Sequence, residues 1–186
     1  EISGGGPLLD IGIHVLDLAW YLMGAPKAVT VSGNTYDVLG NRANITTMPR
    51  YQVSDYDPTK NTVEDMANAV IRFEGGASLM LDSSYSLHAT RDSIGVSVYG
   101  DRGGADLEPS LHIATEMHDS IVNITPQLAS GSFELGKAFD NEIANFVDAG
   151  LGRAESVAPA GHGVEVVKIL EAIYTSAQDG REVQLG

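Results

Sequence analysis

Between Pro7 and Met23, apolar residues fall around almost the whole circumference of a helix and leave one narrow polar line. Ile11, Val15, Leu18 and Leu22 form one greasy stripe, and Ile13, Leu16, Trp20 and Met23 form a second. Asp10, His14, Asp17 and the half-polar Tyr21 recur at i, i+4, i+7 and i+11, which is a single line on a 3.6-residue repeat. No Lys, Arg or Glu interrupts the segment. A helix that is apolar on most sides is expected to be buried. Two carboxylates and an imidazole on it should then face a pocket or a partner group rather than open water. Gly24-Ala25-Pro26 supplies the stop, with Gly suited to the left-handed position past the last turn.

Beyond that helix the period changes to two. Lys27 to Asp37 reads as a strand with Val29 and Val31 on one face. Leu39 to Asp65 has no periodicity, and so long a connection reads as a lid, a binding loop or a disordered insert. Ala67, Ala69, Ile71 and Phe73 then alternate against Asn68 and Arg72, and Glu74-Gly75-Gly76 turns the chain into Ala77 to Tyr85, with Leu79 and Leu81 on one face. Ile94, Val96 and Val98 alternate again. Gly100-Asp101-Arg102-Gly103-Gly104 leads to a short strand around Leu107, and Ser120 to Thr125 is a further strand. Two helices close the chain. One runs from about Phe133 to Ala149 with Phe139, Ile143, Phe146 and Val147 on one face; the other runs from about Gly163 to Gln178 with Val167, Leu170, Ile173, Tyr174 and Ala177. This order predicts one α+β domain over residues 1–186, an open, mostly antiparallel sheet with helices packed on one face. Tight turns between successive strands exclude a doubly wound parallel sheet.

Composition narrows the function. With 186 residues and 43% hydrophobic content the chain can bury one ordinary core. A net charge of −14 argues against nucleic acid and against anionic membrane surfaces. The absence of cysteine excludes disulfides, thiolate metal sites and thiol nucleophiles. No apolar run approaches the ~18 residues of a membrane span, and no signal peptide is visible, so a cytoplasmic location is expected. The chain opens on Glu1-Ile2-Ser3 and enters its first helix almost at once, which reads as the later part of a longer protein.

Gly4-Gly5-Gly6-Pro7-Leu8-Leu9-Asp10-Ile11-Gly12-Ile13-His14-Val15-Leu16-Asp17 fits G-G-G-x-L-x-D-x-G-x-H-x-x-D. This run resembles the entrance helix of the C-terminal domain in the glucose–fructose oxidoreductase / inositol dehydrogenase (Gfo/Idh/MocA) family, a dihydrodipicolinate-reductase-like fold. Glu64-Asp65-Met66-Ala67 before a strand ending Phe73-Glu74-Gly75-Gly76, the turn Val98 to Gly104, and Ile169 to Val183 are similar to further pieces in the family's order. The resemblance implies a two-domain oxidoreductase using NAD or NADP on a sugar, polyol or related hydroxy or keto compound. This chain would be its substrate-binding and oligomerising half, the dinucleotide being held mainly by an N-terminal domain that these residues do not contain. No G-x-G-x-x-G occurs, since Leu9 stands where the third glycine belongs, and none of Lys27, Lys60, Lys137 and Lys168 has the Glu-Lys-Pro context of the family's catalytic lysine. The chain alone is therefore expected to be catalytically silent.

Within that frame His14 is the candidate acid/base, an imidazole able to take the hydroxyl proton as a carbinol loses hydride. The alternative is a core histidine satisfied by Asp10 or Asp17. Asp10 would fix substrate and base, and also suits the positive end of the helix. Asp17 would support it or simply be a surface charge. Gly12 is expected to let a ligand approach, at a cost of about 1 kcal/mol relative to Ala. Tyr51 and Tyr56 in the long connection, Tyr85, His88 and Arg91 past a strand end, and His162 at a helix entry are substrate-contact candidates. His112 and His118 with Glu116 and Asp119 match no metal-ligand spacing and read as a solvated loop. Two other functions share these residues: a nicotinamide-assisted glycoside hydrolase of the same family, and a non-catalytic domain. A homo-oligomer is expected through the outer sheet face carrying Met66, Val70 and Met80.

Overall fold

A computed structural model describes residues 4–42, 57–107, 110–127 and 135–186. The chain forms two compact units, Glu1–Ser93 with Val166–Gly186, and Ile94–Glu165.

In the first unit a five-residue π-helical turn, Leu8–Gly12, runs into α1, Ile13–Leu22. The strands β1 (Ala28–Tyr36), β2 (Met66–Phe73), β3 (Ser78–Ser84) and β8 (Val183–Gln184) form one antiparallel sheet in the order β3-β2-β1-β8. Ala67, Ala69, Ile71 and Phe73 of β2 and Leu79 and Leu81 of β3 all point into the core, as their alternation predicts. β1 departs from strict alternation: its register slips between Ala28 and Thr30, so Ala28, Thr30, Val31 and Gly33 are buried while Val29 is half-buried. Leu8, Leu16 and Trp20 from the first helix, and Val166, Ile169, Leu170, Ala172 and Ile173 from α3 (Ala160–Asp179), complete the core. Val167, expected on that face, is exposed. Gly24 (φ 84°) and then Ala25 (φ 55°) take left-handed conformations that end α1, and the Ala25 amide donates to the carbonyl of Trp20 at 2.9 Å. The opposite face of the sheet leaves Val70 and Met80 exposed.

The expectation of a buried first helix is corrected. Only the line Leu8, Gly12, Leu16 and Trp20 is buried; Leu9, Leu18, Tyr21 and Leu22 are exposed along with the polar stripe.

The second unit holds β4 (Ser97–Tyr99), β5 (Gly103–Asp106), β6 (His112–Met117) and β7 (Ser120–Ile124) as an antiparallel meander, with α2 at Leu135–Gly150. β4 is shorter than the Ile94–Val98 alternation suggests, and β5 ends before Leu107. The segment around His112 is a strand rather than a loop. His118 and Asp119, both at positive φ, make the two-residue turn from β6 to β7. Phe139, Ile143, Phe146 and Val147 of α2 are exposed. No helix among the described residues is long and apolar enough to cross a membrane.

Candidate active site

The π turn explains how the stripe is presented. A five-residue closure widens the helix for one turn and often marks functional positions. Here the widening is held from outside the helix. Glu64, nearly buried, accepts from the Gly6 amide through Oε2 (3.0 Å) and from the Leu8 amide through Oε1 (3.1 Å). Tyr174 donates its hydroxyl to the same Oε1 at 2.9 Å. A Cβ on Gly6 would lie 2.0 Å from the Glu64 carbonyl oxygen, so only glycine lets the two backbones approach this closely. On the inner side, buried Ser83 donates to the Pro7 carbonyl at 2.8 Å. Free amides at a helix start attract anions, and an internal carboxylate already takes that place.

Asp10, His14, Asp17 and Tyr21 emerge on the exposed side, in the line their spacing predicts. Asp10 meets a partner group: Tyr85, just past the end of β3, donates its hydroxyl to Asp10 Oδ2 at 2.7 Å. Burial, then the bond to Asp10 and its charge, push the Tyr85 phenol above the ordinary tyrosine range, with the charge of Glu64 adding to the same effect. Tyr174 is raised likewise, first by burial and then by Glu64. Both phenols thus remain hydrogen-bond donors to their carboxylates. His14 is bonded to neither Asp10 nor Asp17 and has no protein hydrogen bond among the described residues, so the reading as a satisfied core histidine is not met.

The bare side of Gly12 is filled by Ser83 (Cβ at 3.2 Å) and Leu8, so its use is close packing on β3, not the approach of a ligand. Asp17, His88 and Arg91 are exposed, and no hydrogen bond joins them to Asp10. His162 lies in the first turn of α3, in the second unit, with its amide on the Pro159 carbonyl at 2.8 Å. Tyr51 and Tyr56 lie outside the described residues. His112 is held by Ser110 and Thr125. A hollow of about 420 Å³ in the first unit is lined by Gly4, Gly5, Tyr36, Asp37, Glu64 and Tyr174 among others, and by no residue of the stripe. The stripe lies outside this hollow.

Sequence reasoning missed Glu64, Asp65 and Ser83 as the groups that build the site. Asp65 Oδ2 accepts from the amides of Val38, Leu39 and Gly40 at 2.6, 2.6 and 2.9 Å. The only hint was the Glu64-Asp65 pair placed directly before an apolar strand, where buried carboxylates need many donors.

A family model described as "Oxidoreductase family, C-terminal alpha/beta domain" matches residues 1–185. The chain is 32% identical over 187 residues to a D-glucoside 3-dehydrogenase of Escherichia coli (strain K12), covering 100% of this chain and 50% of that protein. It is 28% identical over 191 residues to a putative UDP-kanosamine synthase oxidoreductase subunit of Amycolatopsis mediterranei (strain S699), covering 97% of this chain and 52% of the relative. The chain thus spans about half the length of these curated relatives. Among solved structures, levoglucosan dehydrogenase in complex with NADH and L-sorbose matches with a TM-score of 0.77 at 22% identity, over 100% of this chain and 51% of the other. Aldose-aldose oxidoreductase from Caulobacter crescentus complexed with glycerol matches with a TM-score of 0.69 at 24% identity, over 99% and 49%. At these identities the structural likenesses speak to the fold.

Proposed function

This chain belongs to the Gfo/Idh/MocA oxidoreductase family as its C-terminal alpha/beta domain, and on that premise we propose that it is the substrate-facing half of a nicotinamide-dependent dehydrogenase of sugars or glycosides. One observation carries the reading. Asp10 is fixed by Tyr85, while His14, one turn further along, is exposed and makes no hydrogen bond among the described residues. Of the pair, His14 is the group placed to take a proton from the reacting hydroxyl.

Nicotinamide, bound by residues outside this chain, would accept the hydride. This chain's share is the proton. An imidazole nitrogen of His14 takes it from the carbinol oxygen as the C–H bond is lost, and Asp10, held still by Tyr85, accepts a hydrogen bond from a substrate hydroxyl. The names of the curated relatives support a sugar-like substrate, and the exposed Val70 and Met80 support the expectation of a homo-oligomer.

The test is turnover by the full protein carrying this chain and its dinucleotide module, offered NAD or NADP with a panel of glucosides, free aldoses and cyclic polyols. His14→Ala should lower kcat by about 10²- to 10⁴-fold, the range of acid–base catalysis, at an unchanged unfolding temperature. Turnover equal to wild type refutes the assignment. Release of an aglycone without net reduced nicotinamide would replace it with glycoside cleavage.

A further inference from the structure

Two carboxylate–tyrosine pairs meet at the π turn, Tyr174 with Glu64 at its entrance and Tyr85 with Asp10 within it, and the dipeptide Glu64-Asp65 reaches both. The Glu64 side chain holds the Gly6 and Leu8 amides at the helix entrance, two residues before Asp10. The next residue, Asp65, uses its backbone carbonyl to accept from the Tyr85 amide at 3.2 Å and from the Ser84 hydroxyl at 2.7 Å. Asp65 is itself locked in place: its amide donates to the Tyr36 carbonyl at 2.8 Å, and its carboxylate takes three amides at the start of the long connection. A closed ring of bonds results, running from Glu64 to the helix, along it to Asp10, across to Tyr85 and back through Asp65. Both partners of the 2.7 Å Asp10–Tyr85 bond are therefore referred to one fixed point in the chain.

We propose that Glu64 is a positioning residue: by clamping the entrance of the π turn it sets where Asp10 stands relative to Tyr85, and so the geometry of the proposed sugar site. Removing its charge would not simply loosen the fold. In Glu64→Gln one oxygen can still serve Leu8 and Tyr174, but an NH2 group would face the Gly6 amide, donor against donor. The first turn then relaxes toward ordinary α-helical closure, and Asp10 moves off Tyr85.

The proposal rests on the dehydrogenase reading for its catalytic consequence but not for its geometric one, and two readouts on the full-length protein separate them. The ring-carbon NMR signal of Tyr85 should move in Glu64→Gln by a shift comparable to that in Asp10→Asn, and Glu64→Gln should add nothing in the Asp10→Asn background. In turnover, Glu64→Gln should lower kcat about tenfold, leave KM for the dinucleotide unchanged, and have less than a roughly twofold effect once Asp10 is Asn. Should Glu64→Gln fail to fold, Tyr174→Phe, which removes one donor from the same carboxylate, should shift the Tyr85 signal in the same direction by less. A Tyr85 signal that Glu64→Gln or Tyr174→Phe leaves in place overturns the proposal, as do losses of kcat that multiply independently of Asp10. A wild-type protein that oxidises no sugar refutes the dehydrogenase reading, while the NMR shifts still decide the role of Glu64.

Discussion

Gly6→Ala tests whether the helix entrance is as close-built as its distances say. The new Cβ would meet the Glu64 carbonyl oxygen at 2.0 Å and the Glu64 carboxylate carbon at 2.8 Å. The backbone oxygen cannot retreat, because the next residue is paired on both sides, to Tyr36 and to Tyr85. The helix entrance must back away instead, and it loses the bonds at 3.0 and 3.1 Å from Gly6 and Leu8 to a nearly buried carboxylate. Hydrogen bonds to charged groups are worth about 1.5–3 kcal/mol each, so roughly 3–6 kcal/mol is at stake. The stiffer unfolded chain of the Ala variant returns about 0.4–1 kcal/mol, which leaves a net loss of roughly 2–5.6 kcal/mol. Gly24→Ala is the control. Gly24 sits at φ 84° with nothing within 4 Å of a built Cβ, so its cost is backbone strain alone, about 1–2 kcal/mol. Urea unfolding of the two variants, compared at equal m-value, reads the difference. A Gly6→Ala loss no larger than that of Gly24→Ala refutes the clash. Rescue by a second change, Glu64→Ala, would show that the side chain rather than the backbone oxygen was the obstacle.

Ser176 is buried where its hydroxyl accepts from the Gly33 amide at 2.9 Å and donates to the Arg181 carbonyl at 2.7 Å, tying β1 and the approach to β8 to α3. Ser176→Ala strands both groups and should cost about 1–3 kcal/mol in the same assay; a change within about 0.5 kcal/mol, typical of an uncoupled surface site, would contradict the tie. The raised Tyr85 and Tyr174 phenols bind their protons more tightly folded than unfolded, so their contribution is complete below the ordinary tyrosine pKa and declines as pH rises above it. Tyrosinate absorbance should show a late-titrating class among the seven tyrosines, coincident with alkaline unfolding and diminished in Tyr174→Phe; seven tyrosines titrating as one class would count against both bonds.

The parts of this fold visible in the sequence are those with a short period. Ala67, Ala69, Ile71 and Phe73 alternate in composition and in burial, and the Asp10–His14–Asp17–Tyr21 line survives intact, because both depend only on neighbours within a strand or a turn. β6 was missed for the converse reason. His112 to Met117, paired to β5 on one edge and β7 on the other, has mixed exposure and no dry face to impose alternation, and its signal lies in the turn, where His118 and Asp119 tolerate positive φ. Val167 shows a different failure. The helix is legible in the sequence, but its buried face is centred one residue earlier, on Val166, Ile169 and Ile173, and a phase difference of that size leaves the apolar count unchanged.

The site obeys another logic. The bonds that build it join residues 58, 56, 75 and 110 apart in the chain, and no window of the sequence contains both partners. Periodicity placed Asp10 and His14 on one line but could not say which would be held and which left free. Apolar composition suggested burial on all sides, yet Leu9, Leu18 and Leu22 stand exposed, since composition measures how greasy a face is and not what covers it. What distinguishes Asp10 from Asp17 is not its position on the helix. Asp10 lies within the turn whose entrance Glu64 clamps and is bonded to Tyr85, whereas Asp17, one turn beyond His14, has neither support. If the clamp matters as argued, Asp17→Asn should leave turnover within a factor of about two while Asp10→Asn lowers it by about tenfold or more, and equal losses at the two aspartates would mean that the line itself, not its anchoring, is the functional unit.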